Sequence, residues 1–120
     1  MRNFINASSD TILAVDANLR ISMFNKAFED FAEKTFKRKV EKGVNVEVFL
    51  SKENLDKQLE VYRNVLKNGE TFELIKKYGD QTLDIKYSPI RDDNNKIIGV
   101  SLFTKDVSEL EKLRTLVHAN

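Results

Sequence analysis

Cysteine is absent from this sequence, and histidine occurs once, at position 118. Without a thiol there is no disulfide, no zinc–thiolate or iron–sulfur site and no cysteine nucleophile. A serine–histidine–aspartate relay would depend on His118, which reads as an exposed residue of the last helical segment. The four glycines fall at 43, 69, 79 and 99, so no loop is built to cradle phosphate. Carboxylates are plentiful, but Glu29, Asp30 and Glu33, and again Glu109 with Glu111, read as solvated helix faces. Lys37-Arg38-Lys39 has no interleaved aromatics of the kind that stack on bases and reads as a charged surface loop. No enzyme constellation emerges, and the expectation is a non-catalytic protein without a metal. What remains is apolar surface: eight phenylalanines, three tyrosines and no tryptophan, with the hydroxyls of Tyr62, Tyr87 and Thr104 as the polar groups able to point inward.

These residues must be positioned by one domain, since 120 residues leave no room for a second core. A 41% hydrophobic and 32% charged composition is that of a folded chain rather than a disordered one. The formal net charge is +1, which gives no reason to expect nucleic acid or an anionic membrane as partner. No apolar run is long enough to span a bilayer. Met1-Arg2-Asn3-Phe4-Ile5-Asn6 runs at once into polar Ser8, Ser9 and Asp10, without the pattern of a signal peptide. A cytoplasmic location is expected.

Thr11 to Val15 is short, apolar and β-branched; Asp16-Ala17-Asn18 is a turn, and Leu19 to Phe24 returns as a second strand. Asn25 stands where a helix cap should be, followed by Phe28, Phe31, Ala32 and Thr35 at helical spacing. Residues 37–50 read as irregular turns packed on the domain. Ser51 is the expected cap of a second helix whose face is Leu55, Leu59, Tyr62 and Leu66, closed by Asn68-Gly69. From Phe72 onward the pattern is antiparallel sheet. Leu83, Ile85 and Tyr87 face one way and Asp84, Lys86 and Ser88 the other. Pro89 suggests an edge or a bulge, Asp92 to Asn95 a hairpin loop, and Ile97 to Thr104 a last strand. Ser108-Glu109-Leu110-Glu111 has the form of a capping box opening a charged final helix. Strands joined by hairpins and segregated helices make the class α+β.

In this order the segments resemble the PAS domains of bacterial sensor proteins, over residues 4–112. Ser9-Asp10-Thr11-Ile12 through Val15-Asp16 resembles the first strand and turn of that family. Phe24-Asn25-Lys26-Ala27-Phe28 is similar to its join from second strand to first helix. Tyr62 to Leu66 with Asn68-Gly69-Glu70 resembles the end of its long helix. Tyr87-Ser88-Pro89-Ile90, Asp92-Asp93 and Ile98-Gly99-Val100 resemble its last hairpin. Asp106-Val107-Ser108-Glu109 is similar to its joint between sheet and signalling helix. The resemblance implies a five-stranded antiparallel sheet, with helices on one face, and a sensory module of a cytoplasmic, bacterial signal-transduction protein. Its parent chain would carry an output such as a histidine kinase, a cyclase or a chemotaxis domain. The expected division is residues 1–106 as the domain, with 1–9 as an N-terminal capping segment, and 107–120 as the exit helix. Arg114 to Asn120 echoes Arg2 to Ser8 residue by residue in character, which suggests the start of a following PAS repeat; chance similarity is the alternative.

The resemblance also implies an interior able to hold a small molecule. Its candidate lining is Phe28, Phe31, Phe49, Tyr62, Leu83, Ile85, Tyr87, Leu102 and Thr104. The default for such a set is a filled core. No cofactor is expected: a cysteine-adduct flavin needs a thiol, a histidine-ligated haem needs a histidine within the domain, and Met23 stands alone as a conceivable haem ligand. Val107, Leu110, Leu113 and Val117 form an apolar stripe on the exit helix, expected to pair two copies together with Phe4 and Ile5. Thr104, Lys105 and Asp106 are the expected signal joint. Against this stands a ligand-free PAS module used for dimerisation or spacing. A different small α+β binding fold would betray itself by any sheet other than five antiparallel strands with the first two central.

Overall fold

A computed structural model describes residues 10–50 and 52–118. Strand β1 (Thr11–Asp16) turns through the side chain of Asp16, whose Oδ1 accepts from the backbone N–H groups of Asn18 and Arg20 at 2.9 and 3.0 Å. Leu19 takes a left-handed φ of 63° there, and β2 (Ile21–Phe24) returns antiparallel to β1. Helix α1 (Lys26–Phe36) follows under the Asn25 cap and ends at Lys37, whose N–H donates to Glu33 at 3.0 Å. Residues 37–50 form turns and one short 3-10 helix, Val46–Phe49, pinned inward by buried Val40, Val46 and Phe49.

A 3-10 turn, Lys52–Asn54, leads into α2 (Leu55–Asn68). The expected cap, Ser51, lies outside the described residues, and Asn54 at the helix start makes no side-chain cap bond. Leu59, Tyr62 and Val65 are the buried face of α2, rotated slightly from the expected stripe because Leu66 only edges the core. Gly69, left-handed at φ 69°, closes the helix with its N–H on Val65. Strands β3 (Phe72–Tyr78), β4 (Gln81–Arg91) and β5 (Ile97–Asp106) form two hairpins, and α3 (Ser108–His118) leaves the globule.

The sheet is five-stranded and antiparallel in the order β2-β1-β5-β4-β3. Contrary to the expectation from sequence, the first two strands are not the central ones: β5 holds the centre and β2 lies on an edge. The cause is the register Thr11↔Thr104 to Asp16↔Gly99, which joins β1 to β5 along its whole length. The free side of β2 is covered by the following loop, with Ile21 N–H on Val44 and Gly43 N–H on Ile21, a common protection of a sheet edge. Pro89 sits where β4 overruns β3, whose last partner is Tyr87, and just before a register shift at Ile90/Arg91. Its missing donor is tolerated there. Helices α1 and α2 pack on one sheet face, over Leu13, Val15, Leu83, Ile85, Tyr87 and Val100.

Candidate functional site

Between α1, α2, the 3-10 helix Val46–Phe49 and the inner sheet face lies a half-open cavity of about 1040 Å³. That is the upper end of the range for small-molecule sites, roughly 300–1,000 Å³. Its walls follow from the two periodicities of the sequence. Alternation along β4 turns Leu83, Ile85 and Tyr87 inward, and β5 adds Leu102 and Thr104. Helix α1 contributes Phe28 and Phe31, the 3-10 turn Phe49, and α2 Tyr62. All nine candidate residues thus lie on one cavity, and most are core members as well.

The rings make two groups. Phe28, Phe31, Phe36 and Phe49 pack around one end with centroids 5.9–6.5 Å apart, edge to face except for the tilted Phe28–Phe31 pair. Tyr62 and Tyr87 meet at 5.4 Å and 87°, with Phe72 against Tyr87 at 6.3 Å. Tilted aromatic pairs of this kind are attractive beyond their buried area, so both ends of the cavity have firm walls. Met23, on the other sheet face opposite Ala14 and 41% exposed, is not among the lining residues. It is in no position to ligate a group held there.

Of the lining residues that were not legible as such, three bear on the chemistry. Phe72 faces the cavity because it registers with Tyr87, and Phe36 because α1 carries it past Phe49. Gln58 lies one helical turn before Tyr62, and this polar residue on an apolar stripe was the available signal. Its Oε1 is buried without a hydrogen-bond partner.

The cavity also reaches the base of the exit helix. Thr104, Gln81 and Asp106 line it, and Asp106 belongs to a hydrogen-bonded clamp. Asp106 Oδ1 accepts from Ser108 N–H at 2.9 Å and from Ser108 Oγ at 2.5 Å. Ser108 Oγ in turn accepts from Thr82 N–H at 2.8 Å, and Val107 N–H donates to the Thr82 carbonyl at 2.8 Å. Gln81 Nε2 reaches Asp106 Oδ2 at 3.3 Å. The Ser108 bonds hold the Asp106 carboxyl below its ordinary pKa. Serine 108 is therefore not the cap of a capping box: it is the first residue of α3, and its hydroxyl is taken by the sheet. Of the expected joint, Thr104 faces the cavity and Asp106 the clamp, while exposed Lys105 stands on the opposite sheet face beside Asp84.

Removing the clamp hydroxyl tests its strength. Ser108→Ala leaves the buried Thr82 N–H without an acceptor and is expected to cost about 1–2 kcal/mol, read as a lower urea midpoint. Faster amide exchange should be confined to Thr82 and α3. A uniform rise over the domain would show that the bond supports the fold rather than the helix.

On α3, Leu110 and Leu113 are 56% and 59% exposed, and Leu116, absent from the expected stripe, is 67% exposed. Val107 is half-buried at the helix start. The side chain of Val117 and the N-terminal Phe4 and Ile5 lie outside the described residues. No helix among the described residues is long and apolar enough to cross a membrane, and none of their His, Asp or Glu side chains cluster in a way that could hold a metal ion.

A family model described as PAS domain matches residues 1–108. No curated protein matches the sequence. Among solved structures, the C-terminal domain of a Streptococcus mutans protein is similar at 21% identity, with a TM-score of 0.71 over 91% of this chain and 84% of that one. The PAS domain of the histidine kinase ThkA is 26% identical, with a TM-score of 0.62 over 81% of this chain and 99% of that one. The VqmA dimer of Vibrio cholerae, described with LuxR-type receptors, is 16% identical, with a TM-score of 0.67 over 89% of this chain and 49% of that one.

Proposed function

The chain belongs to the PAS domain family, and from that premise we propose that it is a sensory relay module, which binds a small molecule in its cavity and passes the change to α3. The observation that carries this reading is a shared wall: Gln81, Thr104 and Asp106 face the cavity, and Gln81 and Asp106 belong to the hydrogen-bonded clamp at the base of α3. A ligand that shifts these side chains changes the clamp, provided it binds the two positions of the helix unequally. Two copies pair through Leu110, Leu113 and Leu116, whose exposure calls for a partner. The module is non-catalytic, cytoplasmic and part of a bacterial signalling chain with a kinase-type output. The PAS domain of a histidine kinase among its structural neighbours supports the last point. With no cysteine, and with the single histidine at the end of α3, neither a cysteinyl flavin nor a histidine-held haem is the ligand.

Native mass spectrometry of the purified chain, beside a denatured sample, tests the binding half. A reproducible extra mass lost on denaturation is the expected result. A clean apo dimer, unaltered by any small molecule offered, would favour a ligand-free dimerising spacer, a reading the exposed leucine stripe also suits. For the pairing, Leu110→Asp with Leu113→Asp is expected to turn a micromolar dimer into a monomer, since each buries a charge in the apolar seam. An unchanged sedimentation coefficient would place the interface elsewhere.

A further inference from the structure

The cavity has a chemistry of its own. Gln58 lines it, and the Gln58 carbonyl oxygen is buried without a hydrogen-bond partner in the described protein. Buried acceptors are nearly always paired, so an N–H or O–H donor carried by a ligand would find its acceptor in Gln58 Oε1. The charged groups of the lining are unbalanced. Asp30 is held by Lys26 at 3.1 Å, and Asp106 by Ser108 and Gln81. Lys34 and Lys57 are exposed, line the same cavity and make no ion pair among the described residues. The remaining wall is apolar and rich in rings. Resting on the ligand-binding reading above, we propose that the ligand is an aromatic anion carrying a hydrogen-bond donor. Its rings lie among the phenylalanine and tyrosine side chains, its donor meets Gln58 Oε1, and its acidic group meets Lys34 and Lys57.

Two dyes separate the parts of this proposal. The compound 8-anilinonaphthalene-1-sulfonate combines aromatic rings, one N–H and one sulfonate. N-phenyl-1-naphthylamine keeps the rings and the N–H and lacks the anion. Fluorescence titration of the full chain is expected to give one site per protomer, with the sulfonate bound about tenfold more tightly at low salt and the gap closing as salt screens it. Lys34→Glu with Lys57→Glu should abolish that gap and leave the neutral dye unchanged. Gln58→Leu should weaken both dyes about tenfold, the usual loss for a buried hydrogen bond. The same substitution should raise the unfolding temperature of the free protein by roughly 5 °C, because it removes an unpaired buried acceptor. A purely structural glutamine would lower it. All titrations are repeated in the Leu110→Asp, Leu113→Asp variant, where binding must persist if it is not on α3.

Equal affinity for the two dyes would overturn the anion, and unaltered binding in Gln58→Leu would overturn the donor. Both results leave a ligand site standing. Failure of the wild-type chain to bind either dye defeats the ligand-binding reading itself.

Discussion

Asn25→Ala is expected to destabilise the domain by about 4 kcal/mol, out of the roughly 5–15 kcal/mol that holds a small domain folded. Asn25 is only 2% exposed, and its side chain joins three backbone segments. Oδ1 accepts from Phe28 N–H, capping α1, and from Ile12 N–H in β1, both at 3.0 Å. Nδ2 donates to the Asp10 carbonyl at 2.8 Å. A cap alone is worth about 0.5–2 kcal/mol. Here truncation also strands Ile12 N–H in the part-buried sheet margin and opens a small void. Asn25→Asp keeps both accepted bonds and loses the donated one, so its loss should be smaller, about 2 kcal/mol. Urea unfolding of the three proteins measures the series. Equal losses for alanine and aspartate would mean that the donated bond to Asp10, rather than the two accepted ones, carries the effect.

Gly99→Ala should cost about 3 kcal/mol or more, for a reason unconnected with backbone freedom. A Cβ built at Gly99 would lie 2.3 Å from the Val15 carbonyl oxygen and 3.3–3.4 Å from Val15 C and Asp16 Cα. These are backbone atoms of the neighbouring strand, which no rotamer change can clear. Since β1 pairs with β5 along its whole length, relief requires parting the strands that place Leu13 and Leu102 beneath the cavity. Gly79→Ala is the comparison: its φ of 58° disfavours a side chain, but its Cβ would meet nothing within 4 Å. About 1 kcal/mol is expected there. A lower unfolding temperature for Gly79→Ala than for Gly99→Ala would show that β1 and β5 separate easily, against this sheet.

Much of this was legible because it is local. Alternation at Leu83, Ile85 and Tyr87 and the helical spacing of Phe28 and Phe31 say which side chains turn inward, whatever lies there. The hairpins β1–β2, β3–β4 and β4–β5 can likewise be read from their turns. The order of the sheet cannot, because the contact that decides it, β1 with β5, joins opposite ends of the chain. Whether the inward-facing rings fill their space depends on how far α1 and α2 stand from the sheet, which no periodicity encodes. Ser108 shows the same limit at one residue. Its pattern is that of a capping box, but Thr82 N–H, distant in sequence, claims the hydroxyl. Gln58 lay in plain view on an apolar stripe, and only its unpaired oxygen beside a cavity gives it a role.

In the proposed relay, occupancy of the cavity is felt at the base of α3. Hydrogen exchange of the full chain, with and without saturating 8-anilinonaphthalene-1-sulfonate, tests it most directly. Slower exchange is expected in the cavity walls and, with it, a several-fold change at Thr82 and along Ser108–His118 that disappears in Ser108→Ala. Protection of the walls with α3 unchanged would contradict it: the cavity would bind, and nothing would be relayed.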